Sequence, residues 1–180
     1  MSTDSGAVTP LDALDETTLA RTSTKYRLTL GPIDHVTGDL AGLVGEQALQ
    51  ILGMFYPKNT AKKANVVITE LLTNVFENIH DPKSSFDLDL EAGPTGLVIS
   101  VRNQVSKEQY EKVKARIDLI RETPDLRALV ASTIRERRAH RLKGGLGLMR
   151  LAQENKFDLA IAYQDGAMTV TATYTTAVKS

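Results

Sequence analysis

The 180-residue chain has no cysteine, which excludes disulfides, thiol nucleophiles and thiolate-held metal and fits a reducing compartment. It also lacks any run of about 18 apolar residues, the length that a membrane-spanning helix needs. Net charge is missing too. Lys plus Arg and Asp plus Glu stand at 22 each, so no global field draws the protein to nucleic acid or to an anionic membrane. Aromatic residues make up only 5%, too few to suggest a base-stacking surface. Neither nucleic acid nor membrane is therefore expected as a partner, and electrostatic recognition has to be local. The opening "MSTDSGAVTPLDALDETTLARTST" shows neither the charged nor the apolar region of a secretory signal, so a cytoplasmic protein is the expectation.

What is present suits a folded domain. A composition 42% apolar and 24% charged is ordinary for a globular chain, and the length suits one domain with a real core. Residues 1–23 are rich in Ser, Thr, Asp and small side chains without a sustained period, which predicts a flexible tail ahead of a single domain at 24–178.

Alternation in "KYRLTL" predicts a first strand. From Ile33 the apolar residues Val36, Leu40, Leu43, Val44, Ala48, Ile51 and Leu52 recur at helical spacing until "YPKN". That helix, at 33–54, can cover a sheet or support a homodimer, and periodicity alone leaves both open. A second helix is expected from about Thr60 to His80. Two alternating runs joined by "GPTG" then read as a hairpin, with Phe86, Leu88 and Leu90 on one face of the first strand and Leu97, Ile99 and Val101 on one face of the second. Two helical stretches follow, "SKEQYEKVKARIDLIRE" and "TPDLRALVASTIRERRAHR". "LKGGLG" interrupts before a short helix at "LMRLAQEN", and "FDLAIAYQ" and "AMTVTATYT" form a last hairpin across "DG". Helices cluster between antiparallel strands instead of alternating with them. The order predicts an α+β two-layer sandwich, a mixed, mostly antiparallel sheet with helices on one face.

Two segments carry chemistry. In "ITELLTNVFENIH", at about 100° per residue, Ile68, Leu71, Leu72, Val75, Phe76 and Ile79 share a core-facing arc. Glu70, Asn74 and Asn78 form a polar stripe beside it, with Thr69, Thr73 and Glu77 farther toward solvent. The stripe reads either as the polar edge of an amphipathic helix or as a site, since a carboxylate can act as general base and an amide oxygen one turn away can ligate Mg²⁺. In "LKGGLGLMRLAQE", Gly144, Gly145 and Gly147 precede a helix. Glycines allow a tight turn that aims backbone N–H groups at an anion, and a helix start adds partial positive charge; a flexible connector is the other reading. The spacing matches neither a Walker A loop nor a Rossmann turn.

Together, the E-x-x-x-N of Glu70 and Asn74 followed by G-G-L-G-L ahead of another helix resembles the N box and second glycine box of the GHKL ATPase superfamily. The likeness extends over residues 60–175, with one hairpin between the motifs and one after them. It implies a Bergerat-type ATP site: Asn74 as the Mg²⁺ ligand, Glu70 as catalytic base, and Asn78 lining the same pocket. Gly144, Gly145, Leu146, Gly147 and Leu148, with Lys143, would wrap the phosphates, and Arg135, Arg137, Arg138 and Arg141 would lie in or near a lid or on a solvated helix end. The family's first glycine box, D-x-G-x-G, is replaced by "VISVRNQVSKEQ". Asn103 stands where the adenine-binding aspartate would be, as a neutral and weaker acceptor, and both glycines are absent.

No long paired-helix region is expected to present His35, His80 or His140 as a phosphoacceptor, and a gyrase-type transducer domain is not expected within these 180 residues. The chain is similar instead to the stand-alone partner-switching branch, the anti-sigma-factor kinases and SiaB-type protein kinases. What that branch implies is signal transduction by ATP-dependent phosphorylation of a Ser or Thr on a small regulatory phosphoprotein or sigma-factor-type partner, opposed by a phosphatase. The alternative is a catalytically silent module that sequesters a partner with weak nucleotide binding or none.

Overall fold

A computed structural model describes residues 23–33, 39–54, 56–78, 81, 83–139 and 146–175. Five strands and five helices follow in the order β1 (Thr24–Leu30), α1 (Leu40–Gly53), α2 (Lys58–Asn78), β2 (Phe86–Gly93), β3 (Gly96–Gln104), α3 (Lys107–Glu122), α4 (Leu126–Ala139), α5 (Gly147–Asn155), β4 (Asp158–Gln164) and β5 (Ala167–Thr175). The architecture is α+β. The strands lie in the order β1-β2-β3-β5-β4 and, among the described residues, every pairing is antiparallel. The expected parallel component is thus absent from this sheet, because four of the strands come as two tight hairpins and β1 runs back along β2.

The register sorts the side chains by face. Leu88 opposes Val101 and Leu28, and Leu90 opposes Ile99 and Tyr26, so the apolar sets of β1, β2 and β3 share one face. Val170 and Ala172 of β5 continue it opposite Val101 and Ile99. On the other face, cross-strand partners carry opposite charge or a hydroxyl: Lys25 pairs with Glu91 at 2.7 Å, Arg27 with Asp89 at 2.5 Å, and Thr29 donates to Asp87 at 2.7 Å. Exposed pairs of this kind add little stability, but a one-residue slip would turn them into the core, so they help specify register.

Helix α2 fills the apolar face, burying Ala64, Val67, Ile68, Leu71, Leu72 and Val75. Helix α1 packs on it through Ala41, Val44, Gly45, Ala48 and Leu52. The contact is close at Gly45, where a Cβ would lie 2.5 Å from the Thr69 hydroxyl and 2.9 Å from Asn65 Oδ1. Thr69 therefore faces α1, not solvent, and its hydroxyl donates to Asn65 at 3.3 Å. The helix predicted from Ile33 begins at Leu40, where Asp39 accepts from the Gly42 amide at 2.8 Å and caps it. Ile33 is buried ahead of that cap. Helix α2 starts at Lys58, two positions before the expected Thr60. A capping box between Ser106 and Gln109 opens α3, and Asp165 and Gly166, both at positive φ, make the β4–β5 turn that "DG" predicts. His35, His80, His140 and the tail at 1–22 lie outside the described residues.

Two glycines of the first hairpin should respond differently to substitution. Gly96 has φ +139° and a Cβ there would fall 1.9 Å from the Tyr174 carbonyl oxygen, whereas nothing lies within 4 Å of a Cβ at Gly93. Urea denaturation should show Gly96→Ala costing about 2 kcal/mol or more and Gly93→Ala changing stability by about 0.5 kcal/mol or less.

Candidate functional site

Helix α2, the end of β3, α3, α5 and β5 enclose a cavity of about 320 Å³ on the helical side of the sheet. Leu71 and Val75 of α2, Val101 of β3 and Val105 beyond it supply apolar wall. Leu148 of α5 and Met168 and Val170 of β5 complete it. Into this lining project three carboxamides, Asn74, Asn103 and Gln109, and two cations, Lys112 and Arg116. Apolar walls with a few convergent polar groups, at this volume, are what a small-molecule site requires.

Asn74 is held in its helix by its own backbone: Nδ2 donates to the Glu70 carbonyl at 2.7 Å. That bond keeps a poor helix former in mid-helix while its side chain lines the cavity. Asn103 is the only polar or charged residue in the buried class among the described residues, at 4% exposure. Its Nδ2 reaches the Gln104 carbonyl at 3.4 Å, a long hydrogen bond. Burying a carboxamide with so little compensation is costly, which a ligand at that position would offset.

Glu70 takes a different position from the one its stripe suggests. It is absent from the cavity lining, and its carboxylate packs on the first residue of α5: a Cβ on Gly147 would come within 1.9 Å of Glu70 Oε2. Burial pushes the Glu70 carboxyl above the usual carboxylate range, Arg150 opposes the shift, and Glu77 adds to it. Leu148 is buried and lines the cavity, Leu146 packs against the core ahead of α5, and no side chain caps that helix start. Asn78 ends α2. Lys143, Gly144, Gly145 and Arg141 lie outside the described residues, and Arg135 is exposed on α4.

Of the positions singled out from sequence, the structure thus gathers Asn74, Asn103 and Leu148 around one cavity and sets Glu70 against Gly147 beside it. The α3 wall is a surprise. Gln109, Lys112 and Arg116 stand at i, i+3 and i+7, a spacing that puts them on one helix face directly after the strand bearing Asn103. That signal was available in the sequence. Among the described residues no three or more His, Asp and Glu side chains gather into a metal cage, and no helix is long and apolar enough to cross a membrane.

Comparison with known proteins finds no matching family model and no matching curated protein. Among solved structures, the fold is similar to that of a chain in the crystal structure of the SiaB–SiaC complex from Pseudomonas aeruginosa, with a TM-score of 0.62 and 18% sequence identity over 88% of this chain and 91% of that chain. At that identity the likeness is one of fold.

The raised Glu70 carboxyl has a signed consequence. A group protonated more readily in the fold than in the unfolded chain stabilises below its unfolded pKa, and that benefit disappears as pH rises through the folded pKa. Thermal unfolding of Glu70→Gln should match wild type in acid and show a higher Tm at pH 7. An equal or lower Tm at pH 7 would mean that the Arg150 attraction outweighs burial.

Proposed function

We propose that the cavity binds ATP with Mg²⁺ and that the chain is a partner-switching regulator, a Ser/Thr protein kinase of the GHKL type acting on a small regulatory protein. The observation that carries this reading is the convergence of Asn74, Asn103 and Leu148, three positions of the GHKL-like motifs, on one apolar cavity. Fold likeness to a chain from the SiaB–SiaC complex supports a protein partner, whether a small phosphoprotein or a sigma-factor-type protein, with an opposing phosphatase.

ATP would supply the γ-phosphoryl group, and Mg²⁺ would neutralise charge on its oxygens. The donor set fits such an ion, since Mg²⁺ keeps several waters and phosphate oxygens and needs only one or two protein ligands. Asn74 would be that ligand, its carboxamide oriented by the bond to the Glu70 carbonyl. Asn103 would accept from the base's amino group at the cavity floor. The start of α5, with Leu146, Gly147 and Leu148, would meet the phosphates together with Lys143, Gly144 and Gly145. Glu70 would take the proton of the attacking hydroxyl, and its raised pKa makes it a better base than an ordinary carboxylate. To act it has to rotate from Gly147 toward the cavity. That resting position favours a second reading, a silent module that binds a partner without phosphoryl transfer.

Titration calorimetry with ATP and Mg²⁺ tests the site. Saturable heat is expected, weakened about tenfold in Asn74→Ala by loss of a charge-assisted contact. Absence of saturable heat in the wild type refutes nucleotide binding. Glu70→Gln should retain ATP binding while transfer of labelled phosphate to a candidate partner falls about a hundredfold. Wild-type ATP binding with no transfer to a partner that forms a stable complex would establish the silent module.

A further inference from the structure

The lysines of α3 each have a carboxylate one turn away. Lys107 pairs with Glu111 at 2.9 Å, Lys112 with Glu108 at 2.7 Å, and Lys114 with Asp118. Arg116 has none within reach along the helix: its neighbours three and four positions away are Val113, Leu119, Lys112 and Ile120. Among the described residues it takes part in no ion pair or hydrogen bond. Yet it lines the cavity, where no carboxylate stands among the described residues. A half-buried guanidinium is thus held at a ligand-sized cavity with no counter-charge among the described residues.

Its place along that cavity is also informative. From Asn103 the chain passes through Val105, another lining residue, to the capping box of Ser106 and Gln109. The carboxamide end of the cavity therefore lies at the start of α3. Arg116 is seven residues beyond Gln109, about 10 Å of helix rise, a span that a base and its ribose bridge. We infer that Arg116, with Lys112 beside it, forms the anion-binding end of the cavity and takes the phosphate chain of a nucleotide whose base sits against Asn103. This rests on the nucleotide reading and adds to it a phosphate contact from α3. Arginine suits the role because its planar fork meets phosphate oxygens through two hydrogen bonds. Lys112 can join, since an exposed i,i+4 pair such as its contact with Glu108 is weak and yields readily.

The test compares ATP with adenosine by calorimetry at two salt concentrations, for wild type, Arg116→Gln, Arg116→Lys and Lys114→Gln. Arg116→Gln should weaken ATP about tenfold, flatten the salt dependence of ATP binding and leave adenosine affinity unchanged. Arg116→Lys should recover part of the ATP affinity, and Lys114→Gln, whose lysine is absent from the lining, should bind like wild type. The inference is overturned, with nucleotide binding intact, if Arg116→Gln binds ATP as wild type does, if ATP and adenosine weaken together, or if wild type binds ATP no tighter than adenosine. A wild type that binds neither ligand overturns both the nucleotide reading and this one.

Discussion

The two motif-bearing helices meet where the Glu70 carboxylate packs against Gly147. A side chain at position 147 would occupy the space of the carboxylate oxygen, so α5 can rest on α2 with Glu70 in this rotamer only because residue 147 has no Cβ. Leu148 follows directly and becomes wall to a cavity that Leu71 and Asn74 of the same α2 also line. One glycine thereby permits both the position of an acidic group and one boundary of the cavity. The raised affinity of Glu70 for a proton comes first from burial, which removes the carboxyl from water.

A second constraint comes from the sheet. Its outer face is a lattice of opposite charges and hydroxyls, and its inner face is almost wholly apolar apart from Asn103. Register decides which face each residue joins. The pairing of Asn103 with Phe86 and with Met168 puts the carboxamide on the inner side, at the end of a strand where α2 leaves room for the cavity. Charge on the solvent side and polarity at the site are linked through the same ladder.

Much of the fold was legible in the amino-acid order because each element announces its own period: alternation in β2, β3, β4 and β5, apolar recurrence in α2, and the positive-φ pair behind "DG". Tertiary contact overrides the helical wheel at particular positions. Ile33 and Val36 extend the apolar recurrence of α1, yet the Asp39 cap sets its start. Thr69 falls on the solvent side of the wheel but meets α1, since Gly45 lets the two helices approach. The cavity was half legible. Asn74, Asn103 and Leu148 belong to recognisable motifs, whereas Glu70's rotamer cannot be read from spacing, and Gln109, Lys112 and Arg116 gain meaning only once α3 is seen lying along the cavity.

The strand order has a consequence for how the protein comes into being. The central strand β3 pairs on one side with β5, with α3, α4, α5 and β4 all intervening in sequence, and the cavity draws its lining from Leu71 through to Val170. Local contacts can form the first hairpin and the α1–α2 pair early, but the long closure between β3 and β5 is the slow kind. During synthesis, the apolar edge of β3 and the face of α2 wait unpaired until the last hairpin has left the ribosome. The cavity is therefore a feature that the nascent chain acquires only with β5, and a truncation within that strand removes its Met168 and Val170 wall together with the β3–β5 pairing.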